Sequence, residues 1–175
     1  KLLSARYPIL QLVWARFFFH FLLITPIALW RHGPTSFVTK KPVLLVGRGL
    51  YLLAGTACFF VAIKFIPLTD AIALIFFDAV IVIVLAALFL REPVPSSHWV
   101  AAVFGLIGVL MIVRPGFETF HPASLLALVA SVFFALYLLS TRLLTGKAPP
   151  LVTLSYQSVG GFVLMSAVMP FIWVE

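Results

Sequence analysis

The stretch that most constrains this chain is Leu68–Glu92, LTDAIALIFFDAVIVIVLAALFLRE. From Ala71 to Leu90 it holds one charged residue, Asp78. At about 1.5 Å of rise per residue, a helix over this stretch crosses a hydrocarbon core about 30 Å thick, and Asp78 falls near half depth. A carboxylate at that depth costs a few kcal/mol, so it calls for a partner, a proton or a water-filled cavity. This points to a membrane helix with a polar function built into it.

The rest of the chain has the same character. It is 63% hydrophobic and 10% charged, against roughly 45–50% and 25% for soluble domains. The apolar residues run continuously instead of alternating, which favours helices over a β-barrel. The net charge of +7 is read as basic loops on the cytoplasmic side, not as a nucleic-acid surface. Cys58, the single cysteine, cannot form an internal disulfide and reads as a small core residue.

Six apolar segments can be drawn, at 8–30, 43–66, 68–90, 97–114, 122–144 and 150–174. The breaks between them carry Pro, Gly and charge, as in RHGPTSFVTKKP, REPVPSS, RPGFETFHP and TGKAPP. The break at Pro67–Leu68 is short and predicts a tight helical hairpin. Arg31, Lys40, Lys41, Arg48, Arg91, Arg142 and Lys147 gather on one side, against Lys1, Arg6, Lys64 and Arg114 on the other. That bias predicts a cytoplasmic 31–42 loop.

The opening KLLSARYPIL resembles RLLTGKAPPL at 142–151. The same offset matches Phe21 with Phe162, Leu23 with Leu164 and Thr25 with Ser166. Five spans separate the copies, so they are expected to cross the membrane in opposite directions, as in the inverted repeats of secondary transporters. The repeat predicts one span preceding Lys1 and three following Glu175. The whole is then an all-α polytopic bundle of ten helices in two inverted five-helix repeats, six of them present. Residues 1–121 are the first repeat without its first helix, and 122–175 begin the second.

Four local patterns fit this arithmetic: LVWARFFFHFLL, FFVAIKFIPLTDAIAL, VIVLAALFLREPV and HWVAAVFGLIGVLMIV. Together they resemble the EamA-type proteins of the drug/metabolite transporter superfamily, from the second helix of that family to its seventh. The resemblance implies ten helices in two inverted halves, both termini cytoplasmic, and a gate or packing contact at Glu92. The chain departs from the family pattern at Asp78, where members often carry proline and small residues.

Arg16 is the second charge inside a span, about 12 Å in from Pro8 by helical rise, close to the depth of Asp78. An Arg16–Asp78 pair is geometrically open. It serves either as an ion pair that fixes packing or as a binding pair, Arg16 taking a substrate carboxylate and Asp78 an amine or proton. His20 lies four residues on, on the same helix face, as a proton relay or a hydrogen-bonded contact. Glu92 ends its helix as a gate or a solvated terminus. Arg48 is expected to snorkel toward headgroups. Ala101, Gly105 and Gly108, and Ala127, Ser131 and Ala135, are expected at helix contacts. Gly160–Gly161 is expected to allow a bend. Trp14, Trp30, Trp99 and Trp173 read as interfacial anchors. His32, His98 and His121 show no metal-ligand spacing.

These features favour a secondary transporter of small metabolites or drugs in a bacterial inner membrane, working by alternating access. Asp78 is its candidate for proton coupling. No Walker-type run is present, and no enzyme activity or cofactor is expected. The expected partners are a small-molecule substrate and the lipid bilayer, without nucleic acid; a homo-dimer is compatible with such a bundle. The alternatives are an integral-membrane enzyme acting on lipid-like substrates and a structural membrane subunit.

Overall fold

The computed structural model describes residues 9–37, 42–90, 95–113, 121–146 and 148–172. Glu92, Arg91, Arg114, Lys147 and Trp173 lie outside the described residues. All regular structure within them is helical: α1 (Ile9–His32), α2 (Pro42–Phe65), α3 (Leu68–Ile75), α4 (Phe77–Leu85), α5 (Ser96–Val113), α6 (Ala123–Leu144) and α7 (Pro150–Ile172). Five stretches are long and apolar enough to cross a membrane: Leu10–His32, Pro42–Phe65, Leu68–Phe89, Ala123–Leu144 and Pro150–Pro170. Helix α5 is also apolar but spans only about 27 Å at helical rise. The fold is a polytopic bundle of membrane helices.

The ends follow from local chemistry. Gly33 (φ 70°) and Gly146 (φ 75°) close α1 and α6 in the left-handed conformation that favours glycine. The Gly33 N–H donates to the Leu29 carbonyl at 2.9 Å. Proline begins α2 and α7, where its missing N–H costs nothing. His121 caps α6, its Nδ1 accepting from the Ala123 N–H at 3.1 Å, and its ring stacks on Phe65 at 5.7 Å.

The chain forms two compact units. The first comprises Ala54–Leu139. Its core joins Ala62, Ile63 and Ile66 of α2 and its end, Ala71 and Leu74 of α3, Val109 of α5, and Ala123 and Ala127 of α6. The α2–α3 hairpin turns at Ile66–Pro67, as the short break predicts. Ala127, Ser131 and Ala135 are fully buried, as expected for contact positions. Gly105 and Gly108 differ from expectation: a Cβ at either would meet nothing within 4 Å. The face of α5 carrying Val100, Phe104, Ile107 and Met111 is exposed, which suits lipid contact.

The second unit comprises Leu2–Leu53 and Ser140–Glu175, and α1 and α7 pack together in it. The Trp14 Nε1–H donates to Ser166 Oγ at 2.9 Å, Phe18 meets Phe162 at 5.6 Å, and Tyr156 Oη donates to the Phe37 carbonyl. Residue numbers rise along one helix as they fall along the other, so α1 and α7 run antiparallel. Trp14 thus packs against α7, its indole N–H bonded to Ser166 and its ring stacked on Phe18 at 5.2 Å. Helix α7 continues through Gly160 and Gly161 without interruption. A Cβ on Gly161 would lie 2.2 Å from Cδ1 of the buried Phe17, so the glycine permits close approach. Lipid gives helices no hydrophobic reason to associate, and close packing of this kind replaces it. Ser166→Ala is expected to cost about 1 kcal/mol, the net worth of a typical hydrogen bond. A double-mutant cycle with Trp14→Phe in detergent unfolding measures it; additive single effects rule the bond out as a contributor.

Candidate functional site

Asp78 lies in the first turn of α4, in the first unit. Sequence reading expects one unbroken helix over 68–90, and the structure departs from this. Helix α3 ends at Ile75, α4 starts at Phe77, and Ala86–Leu90 forms a π-helical segment. Across the break the Phe76 N–H donates to the Ile72 carbonyl at 3.2 Å, and the Ala79 N–H reaches only three residues back, to the Phe76 carbonyl at 3.3 Å. The stretch contains no proline or glycine to announce this. Asp78 is half-buried two residues after the break. Interrupted helices and π segments recur at functional sites, where loosened backbone and a polar side chain share one depth.

Arg16 and His20 lie on α1 in the second unit, Arg16 exposed and His20 half-buried. They are one helical turn apart, as the sequence requires. Asp78 belongs to the other unit, and Glu92 lies outside the described residues. Among the described residues no group of three or more His, Cys, Asp or Glu side chains is placed to hold a metal ion.

Two polar positions in the second unit escape sequence reasoning. Gln157 is 2% exposed, and its Oε1 has no hydrogen-bond partner among the described residues. A Cβ on Gly49 would lie 3.3 Å from the Gln157 Cα, so α2 and α7 approach closely there. The signal was available: the offset that matches Phe21 with Phe162 matches Arg16 with Gln157. The second position is Arg48, 4% exposed. Its Nε–H donates to Thr141 Oγ1 at 2.8 Å and its Nη1–H to the Thr153 carbonyl at 3.3 Å. This corrects the snorkelling expectation. Gly49 beside it lets α2 sit close to α7, and the guanidinium bonds to both α6 and α7.

The repeat has a geometric counterpart in the second unit. Phe21 and Phe162, equivalent under the offset, stack on each other with centroids 5.2 Å apart and planes 6° from parallel. Two antiparallel copies related by a two-fold axis place equivalent residues together where the axis passes between them. The polar contacts are less symmetric. Ser166 receives the indole of Trp14, but its equivalent, Thr25, has a buried Oγ1 with no hydrogen-bond partner among the described residues. Position 155, equivalent to Trp14, is a serine that bonds its own helix, to the Leu151 carbonyl at 2.9 Å.

Antiparallel apolar helices, several long enough to cross a bilayer, with a carboxylate and other polar side chains inside them, define a multi-pass integral membrane protein. The sequence model of the EamA-like transporter family matches residues 1–114, and the chain belongs to that family. It is 29% identical over 136 residues to an S-adenosylmethionine uptake transporter of Rickettsia felis, covering 78% of this chain and 46% of that protein. It is 30% identical over 138 residues to a riboflavin transporter of Brucella anthropi, covering 79% and 49%. It is 32% identical over 134 residues to a pseudopaline exporter of Pseudomonas aeruginosa, covering 75% and 46%. The chain spans about half the length of these curated relatives. No solved structure matches it.

Proposed function

We propose that this chain is part of a secondary transporter that moves a small organic metabolite across a bacterial inner membrane by alternating access. The observation that carries the reading is the antiparallel α1–α7 pair, with repeat-equivalent Phe21 and Phe162 in contact. It supports 1–121 and 122–175 as parts of two inverted repeats. Family membership and the names of the relatives support transport over catalysis. Those names include both uptake and export, so the family by itself does not fix the direction of flux.

In this reading Asp78 takes and releases a proton at the broken span. Arg16 and Gln157, at equivalent positions of the two repeats, meet polar groups of the substrate from α1 and α7. The charge bias supports a cytoplasmic 31–42 loop.

Flux tests the activity. The intact protein in proteoliposomes is expected to exchange at least one of S-adenosylmethionine, riboflavin or a related polar metabolite, with uptake responding to an imposed pH gradient. Flux indifferent to pH removes the coupling, and lipid-directed catalysis without flux reverses the reading. Topology is tested separately. In a Cys58→Ala background, Pro34→Cys and Thr145→Cys, both at exposed positions, are expected to react with an impermeant maleimide from the same, cytoplasmic, face. Labelling from opposite faces contradicts the inverted arrangement.

A further inference from the structure

Gln157, in the second unit, is 2% exposed and leaves its amide Oε1 without a hydrogen-bond partner among the described residues. Orphaned buried acceptors are rare and call for a ligand, a water or a functional reason. A second orphan, Thr25 Oγ1 on α1, belongs to the same unit. Thr25 stands seven residues before His32, where α1 ends, and Gln157 seven residues after Pro150, where α7 begins. Each is about 10 Å from that end at helical rise. The two ends share a level, since Phe21 and Phe162, eleven and twelve residues from them, stack on each other. The neighbouring serines do not supply the missing donor. Ser155 donates to the Leu151 carbonyl and Ser158 to the Ser155 carbonyl.

These observations select a class of ligand. The unpaired atom of Gln157 is an acceptor, so it calls for an N–H or O–H, which an ionised oxyanion lacks. Among the described residues of this unit no carboxylate stands ready to balance a buried cation. A neutral donor remains. A side-chain amide carries acceptor and donor in one plane and matches a ring edge that offers both, as it does with adenine. About one turn further along the helix pair, the Phe21–Phe162 stack continues to Phe18, 5.6 Å from Phe162. Such a row of ring faces suits a flat group.

We propose that Gln157 reads the polar edge of a neutral heteroaromatic ring of nucleobase type, with Thr25 as a second polar contact at the same depth. In this structure α2 closes on the residue, a Cβ on Gly49 falling 3.3 Å from the Gln157 Cα. The ring reaches the amide when the helices part. The assignment therefore rests on the alternating-access reading above and names the class of substrate it serves.

The test follows thermal unfolding of the intact protein in a neutral detergent. The probes are adenosine, uridine, ribose, adenosine dimethylated on its exocyclic amine and uridine methylated on its ring N–H. Adenosine or uridine is expected to raise the unfolding temperature by a few degrees. The methylated analogue is expected to need at least about tenfold more for the same rise, because it leaves the buried acceptor unpaired, and ribose to give none. Gln157→Met keeps the length of the side chain without the amide. It is expected to unfold no earlier than the wild type without ligand, the orphaned acceptor being gone, and to lose the rise; Thr25→Val is expected to weaken it. Should Gln157→Met not fold, the comparison of analogues on the unaltered protein decides alone. No rise with either nucleoside, an equal rise with ribose or the methylated analogues, or a rise that survives in Gln157→Met overturns the assignment. Its failure is distinct from that of the transport reading. Flux of another metabolite with no response to nucleosides removes the ring assignment alone, whereas nucleoside binding without flux of any metabolite removes transport alone.

Discussion

Asp78→Asn in the intact transporter is expected to abolish the pH dependence of uptake while leaving membrane insertion and protein level unchanged. Asparagine is nearly the same size and makes similar polar contacts, but it cannot exchange a proton. Asp78 sits half-buried just past the Phe76 break, in the first turn of α4. Under an imposed proton gradient, uptake is expected to fall on the order of tenfold or more, equivalent to about 1.4 kcal/mol of lost driving interaction. Asp78→Glu keeps the titrating group and is expected to retain pH sensitivity with reduced rate. A pH profile of Asp78→Asn that overlays the wild type takes the residue out of the coupling step. Arg16 gives a companion measurement. If it recognises substrate and does not serve only in packing, Arg16→Gln raises the substrate concentration needed for half-maximal uptake and leaves the pH profile in place.

Gly161→Leu is expected to produce the largest loss of stability among single changes in the α1–α7 pair. Even a Cβ would come within 2.2 Å of the Phe17 ring. Phe17 is fully buried and cannot swing clear. Overpacking of this kind costs about 1–3 kcal/mol or more. Gly160 is the internal control: a Cβ there meets nothing within 4 Å, so Gly160→Ala is expected to be neutral or to stabilise by up to about 1 kcal/mol through helix propensity. Phe17→Ala combined with Gly161→Leu is expected to recover part of the loss. Equal effects at 160 and 161 in detergent unfolding refute the close-approach reading.

Much of the fold is legible in the chain because its boundaries are chemical. Gly33 and Gly146 close helices, Pro42 and Pro150 open them, and Pro67 sets the hairpin. Which side of each helix faces protein is far less legible. Lipid and protein interior prefer the same side chains, so α1, α5 and α7 carry no apolar stripe to read. Small residues were the remaining signal, and they were right on α6 at Ala127, Ser131 and Ala135 but failed on α5 at Gly105 and Gly108. The interruption at Phe76 was invisible because no proline or glycine marks it. Arg48 misled for a different reason: a basic residue near a span end usually reaches for water, and only the threonines supplied by distant α6 and α7 reverse that preference. Gln157 stood one step of arithmetic from Arg16 in the repeat, but a lone glutamine in an apolar run carries no charge to draw the eye.

The turn at Ile66–Pro67 has a mechanical consequence. With two residues between them and a shared core at Ile63, Ile66, Ala71 and Leu74, α2 and α3 cannot slide past each other without dismantling that core. They therefore hold one another in register, and α5, which packs on both α3 and α4, carries that constraint across the interruption at Phe76 to the turn that bears Asp78.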